Sequence, residues 1–160
     1  MKKRNDFKIL NETKALHQKK KDLTKIQIIE FSILFIILNH LEIASEKLED
    51  LSKIEFISEK NESLKNALIT SISDGSNKDT IFLRINSSFK KIIEEINENS
   101  NVKIITKNTT QENILNLLND LIKDHKEQSN LKKIESLEQK LINNLDENSY
   151  SELIKLKSQL

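Results

Sequence analysis

The stretch Thr24-Lys25-Ile26-Gln27-Ile28-Ile29-Glu30-Phe31-Ser32-Ile33-Leu34-Phe35-Ile36-Ile37-Leu38-Asn39 decides the fold. Thr24 is a plausible N-cap, and the hydrophobic residues that follow occupy almost every side of a helix running to Asn39. A helix with no wet face has to lie at the centre of a bundle, because one exposed side would leave a large apolar patch in water. The run Ile26 to Leu38 is also too short for a bilayer and contains Glu30, so a buried helix is expected rather than a membrane span.

Composition agrees with an all-α protein. The 160 residues contain no proline, no tryptophan and the single glycine Gly75, against a heavy load of Leu, Ile, Lys and Glu. The breakers that strands and tight turns rely on are nearly absent. A chain of this length forms one domain, or one domain with an appendage. Without cysteine it has neither a disulfide framework nor a thiolate zinc site, which fits a cytoplasmic setting. No small-residue cleavage site follows the apolar run, so secretion is not expected.

Outward from the central helix, residues 1–24 read as a basic linker or tail. Residues 1–25 hold nine Lys or Arg against Asp6, Glu12 and Asp22, while the whole chain carries only +1. The remainder is therefore mildly acidic and offers no strong overall field for phosphates. Lys19, Lys20 and Lys21 are the only candidate nucleic-acid contacts, and a solvated face explains them as well.

Residues 25–125 read as a helical bundle. A short helix is expected through Ser45 to Leu51, followed by one from Glu59 to Ser73 capped by Ser58, with Glu62 one position beyond a strict capping box. Asp74-Gly75-Ser76-Asn77 is a turn. A helix from about Asp79 has its core stripe at Ile81, Phe82, Ile85, Phe89, Ile92, Ile93 and Ile96, and Val102 to Ile105 fits a short extended segment or a helical turn. Thr109 or Thr110 caps the longest helix, Gln111 to about Asn143. The expected core comprises Ile33, Leu34, Ile36, Ile37, Leu64, Leu68, Ile85 and Phe89.

Lys123 to Asn130, midway along the long helix, is almost wholly polar and suggests a boundary. Residues 126–160 then read as a C-terminal helical hairpin: a stripe of Leu131, Ile134, Leu137, Leu141 and Leu145, a turn through Leu145 to Asn148, and a last helix from about Ser149. At about 100° per residue, Leu156, Leu160, Leu153, Tyr150 and Ile154 cover an arc of roughly 160° with Lys157 inside it. That is broad for a two-helix hairpin, so part of the arc is expected to face a partner.

Catalytic signatures are weak. The acidic groups Glu94-Glu95 and Glu46-Glu49-Asp50 lie among lysines on expected solvent faces, one glycine cannot build a phosphate loop, and His17, His40 and His125 stand far apart without ligand spacing.

Two stretches resemble one family. Ile36-Ile37-Leu38-Asn39-His40, then Ile54-Glu55-Phe56-Ile57-Ser58 leading into Leu64-Lys65-Asn66-Ala67-Leu68, is similar to the Leu-Leu-Asn-His, Leu-Glu-Phe-x-Ser and Leu-x-x-Ala-Leu pattern of the C-terminal helicase-binding domain of bacterial DNA primases, especially of the alphaproteobacterial type. Glu147 to Leu160 is similar to that family's ending. Leu41 stands where the family usually has proline, which puts the break after His40 in doubt.

The resemblance implies a non-catalytic, cofactor-free module, monomeric alone, that docks primase on the hexameric replicative DNA helicase during DNA replication. It places the contact on the last helix, at Tyr150, Leu153, Ile154, Leu156, Lys157 and Leu160; within that set the breadth of the apolar arc puts Leu156, Lys157 and Leu160 in the contact itself and leaves Leu153 mainly to hold the hairpin together. Zinc-binding and polymerising domains of a parent primase are not in this chain. The rival readings are an N-terminal-type domain of the replicative helicase, a basic-tailed nucleic-acid adaptor, and an enzyme with an unrecognised site.

Overall fold

The computed structural model describes residues 23–143 and 146–159. These form eight helices and no strand: α1 (Lys25–Asn39), α2 (Leu41–Glu46), α3 (Leu48–Ser52), α4 (Glu59–Ser73), α5 (Lys78–Asn99), α6 (Val102–Thr106), α7 (Gln111–Asn143) and α8 (Glu147–Lys157). The protein is all-α, and among the described residues no helix is long and apolar enough to cross a membrane.

α1 begins in a full capping box. The Thr24 hydroxyl accepts from Gln27 N–H, and the Gln27 side chain accepts from Thr24 N–H at 2.9 Å. The helix packs on α4, α5, α6 and α7, and from Ile29 to Leu38 every residue is buried. Burying it on all sides removes from water the surface that composition alone left unaccounted for. It ends at His40, whose backbone leaves helical geometry (φ −132°, ψ 64°), and α2 starts at Leu41, so the chain breaks here with no proline.

Around this axis several expectations are corrected in detail. The short helix expected through Ser45 to Leu51 is two, α2 and α3, divided at Lys47. Ser58 occupies the N-cap position of α4 but its side chain makes no capping bond; Glu62 reaches back to accept from Phe56 N–H at 2.8 Å instead. α5 starts at Lys78 because the Asn77 side chain accepts from Thr80 N–H. Gly75 closes α4 with φ +69°, a conformation that costs glycine little. Val102 to Thr106 is a helical turn, and Thr110 supplies the contact at the start of α7.

Phe89, at a kink of α5 (φ −121°, ψ 16°), is only half-buried: like Phe82 and Ile93 it packs against the edge of the core, while Ile81, Ile85, Ile92 and Ile96 are buried within it. The other seven expected core residues are buried.

The hydrophobic residues divide into two clusters. The large one gathers α1 with residues from α2 to the first half of α7, including Ile114 and Leu118. The small one consists of Ile134 and Leu137 of α7 and Leu153 of α8, with Leu141 and Leu156 packed against it. The polar stretch Lys123–Asn130 lies between them, yet the α7 backbone passes through it as unbroken helix. The expected boundary is one of side-chain packing, with no interruption of the helix. Leu145 and the tract 1–22, including Lys19, Lys20 and Lys21, lie outside the described residues.

Candidate functional site

α8 begins at Glu147, two residues before the expected Ser149, because the Asp146 carboxylate accepts from the backbone N–H of Ser149 at 3.1 Å and caps the helix. Asp146 is held below the usual carboxylate range by its hydrogen bonds from the Ser149 hydroxyl and backbone N–H. From that cap α8 lies along the C-terminal part of α7. Leu153 is buried against Ile134 and Leu137, and the Lys157 ammonium reaches Glu138 at 2.7 Å.

The six residues expected to contact a partner separate into distinct roles. Leu153 sits inside the small cluster and Leu156 packs against it. Lys157 is engaged by Glu138. Tyr150 and Ile154 are open to solvent, 55% and 53% exposed. Leu160 lies outside the described residues.

Helical spacing places further apolar surface beside these two. Relative to inward-facing Leu153, the residues Lys157, Tyr150 and Ile154 fall at about +40°, +60° and +100°, all on one flank. Relative to Ile134 on α7, Glu138, Leu131 and Ile142 fall at about +40°, +60° and +80°. Two right-handed helices running in opposite directions bring those flanks to the same side, and the Lys157–Glu138 ion pair joins them across it. Ile142 is 83% exposed, the most open large side chain of this face. The sequence pattern of α8 alone did not reveal this contribution from α7, because Ile142 stands outside the Ile134-Leu137-Leu141 stripe.

Apart from this surface, a buried polar knot positions the segment Ile54–Ser58. Glu30, in the middle of apolar α1, is 0% exposed. Its carboxylate accepts from Ile57 N–H and from the Asn61 side-chain amide, each at 2.6 Å, and faces His125 Nε2 at 3.5 Å. The His125 ring meets Phe56 at 5.2 Å between centroids. The Phe56 ring also meets Lys65, 1% exposed, whose Nζ lies 5.1 Å from the ring centroid. Lys65 donates to the Ile54 carbonyl and pairs with Glu62 at 2.9 Å. A carboxylate and an ammonium are tolerated inside this bundle because each meets several partners.

His40 is half-buried at the end of α1, where burial and then the nearby Lys78 charge lower its pKa. His17 lies outside the described residues, and among the described ones no three His, Asp or Glu side chains gather as metal ligands. Glu94 and Glu95 are exposed, and Glu49 and Asp50 engage Lys53 and Lys47 at the surface.

Comparison with protein-family models, curated proteins and solved structures finds no match for this chain.

Proposed function

We propose that this chain is a protein-docking module acting through the paired helices α7 and α8, and that its partner is the hexameric replicative DNA helicase, as the resemblance to primase C-terminal domains implies. The observation that carries the reading is the apolar flank of Tyr150, Ile154 and Ile142, left open while the Leu153 cluster already holds the two helices together. An exposed aromatic and two isoleucines beside a salt bridge match the make-up of an interface core with a polar rim. The centre of the contact is therefore Tyr150 and Ile154. Leu153 holds the surface from beneath, Leu156 packs on the same small cluster from the opposite flank, and Lys157 borders the surface through Glu138.

In this reading the module does no chemistry of its own. It converts an encounter between primase and helicase into a tethered state, raising the local concentration of the polymerising domains at the fork. The bundle around α1 serves as the rigid base from which α7 extends. Size-exclusion chromatography of the chain mixed with the replicative helicase of the same organism tests this: co-elution with the hexamer is expected, and separate elution at concentrations well above those of the fork contradicts it.

A further inference from the structure

The polar stretch Lys123–Asn130 has no role in the docking surface and does not break the helix. It instead forms one wall of a cleft of about 370 Å³. The facing wall is the end of α3 and the segment after it, including Lys53, Ile54 and Glu55. Ile54, Ile122 and buried His125 also line it. His125 is fixed there by Glu30 and Phe56, so the wall is held from the core side.

The α7 wall presents Lys126, Ser129, Asn130 and Lys133. Lys126 and Lys133 stand four residues before and three after Asn130, hence on the same face one turn either way. Among the described residues neither lysine has an ion-pair partner, and the half-buried Ser129 and Asn130 side chains have no hydrogen-bond partner in the protein. On the opposite rim, Lys53 is tied to Glu49 and Asp50 to Lys47, so the charges left uncommitted are two lysines against Glu55. Half-buried donors between two free ammonium groups are an arrangement that an anion completes.

We infer that this cleft binds a small phosphate-bearing molecule of about mononucleotide size, its phosphate held by Lys126, Lys133, Ser129 and Asn130 and its body lying on Ile54 and Ile122. The volume lies near the lower end of small-molecule sites, which run from about 300 to 1,000 Å³. The site uses none of the residues of the docking flank, so it stands or falls independently of the helicase reading.

Isothermal titration of the full chain with AMP, ribose 5-phosphate, inorganic phosphate and adenosine tests it. AMP and ribose 5-phosphate are expected to bind and adenosine not to. K126A/K133A should weaken AMP by roughly ten- to a hundredfold, and K126R/K133R should retain most of the affinity. N130A, which removes no charge, should weaken it several-fold with the circular dichroism spectrum unchanged. Inorganic phosphate binding as tightly as AMP would keep the phosphate site and make the free ion its source. Absence of heat with every phosphate compound, adenosine binding as well as AMP, or unchanged affinity in both the double-alanine and N130A proteins would overturn the assignment.

Discussion

Glu30 and His125 meet inside the bundle, Oε1 to Nε2 at 3.5 Å, from helices far apart in the sequence. Their meeting ties the middle of α1 to the middle of α7, and through Ile57 and Asn61 it ties both to the start of α4. The carboxylate thus orients α7 and the start of α4 against α1 at once. An apolar side chain at position 30 would pack the same volume without specifying which segment lies where, the role for which buried polar groups are best attested in other proteins.

Replacing Glu30 by Ala should therefore cost about 3 to 5 kcal/mol, since it leaves the Ile57 N–H and the Asn61 amide without an acceptor inside the core and takes from His125 its polar neighbour. Glu30→Gln, which keeps one acceptor oxygen, should cost less, about 1 to 3 kcal/mol. Urea denaturation of the two variants gives the comparison. A cost below about half a kcal/mol for the alanine variant would mean that water satisfies those donors.

Lys65 makes the same argument from the opposite charge. Lys65→Met preserves the aliphatic packing against Phe56 but leaves the Ile54 carbonyl without its donor and Glu62 without its cation. The expected loss is about 2 to 4 kcal/mol, with the segment Ile54–Ser58 exchanging its amide hydrogens faster than in the parent. Equal protection in parent and variant would show that Glu30 alone secures the segment.

Acid should unfold the protein partly through Glu62. Burial by itself would raise its pKa, but the Phe56 N–H, Lys65 and Asn66 together hold it below the ordinary carboxylate range. A folded-state value below the unfolded one of about 4.3 contributes stability that is complete above that pH. The contribution is lost as pH falls through the folded value. Denaturation midpoints measured downward from about pH 5 should fall less steeply in Glu62→Gln than in the parent. Parallel curves would assign the acid sensitivity to other carboxylates.

Much of this architecture was legible in the sequence, and what escaped shares one cause. The bounds of α1, the turn at Gly75 and the extent of α7 follow from local signals: a capping threonine, a positive-φ glycine, helical spacing. Glu30 and Lys65 escaped because their partners arrive from distant segments, and a charge inside an apolar run carries no local mark of where its counterpart lies. Phe89 falls at the edge of the helical stripe by spacing, and the structure leaves it half-buried at the edge of the core beside a kink that spacing does not announce. In the last helix, spacing gave the apolar arc but not its division. Which part of the arc is covered depends on α7, whose inward stripe takes Leu153 and Leu156 and leaves Tyr150 and Ile154 outside.

That division predicts opposite effects for two neighbours. Leu153→Ala should detach α8, because an eleven-residue helix is not stable alone in water and the small cluster is what holds it. The loss should register as a drop in helical content and rapid proteolysis after residue 143. Lys157→Ala removes only an exposed ion pair and should change stability by less than about 1 kcal/mol. Detachment of α8 in the lysine variant instead would place the hairpin's cohesion in the salt bridge.

The docking surface itself is tested most directly by titrating the replicative helicase with the parent chain, with Tyr150→Ala/Ile154→Asp, and with Ile104→Asp as a control at a still more open isoleucine on α6. Truncated or charged interface anchors typically cost about 1 to 3 kcal/mol, which is roughly five- to a hundredfold in affinity. The account predicts a loss of that size for the double variant with its helical content intact, and unchanged affinity for the Ile104 control. Parent-like binding by the folded double variant, or an equal loss in the control, would contradict it.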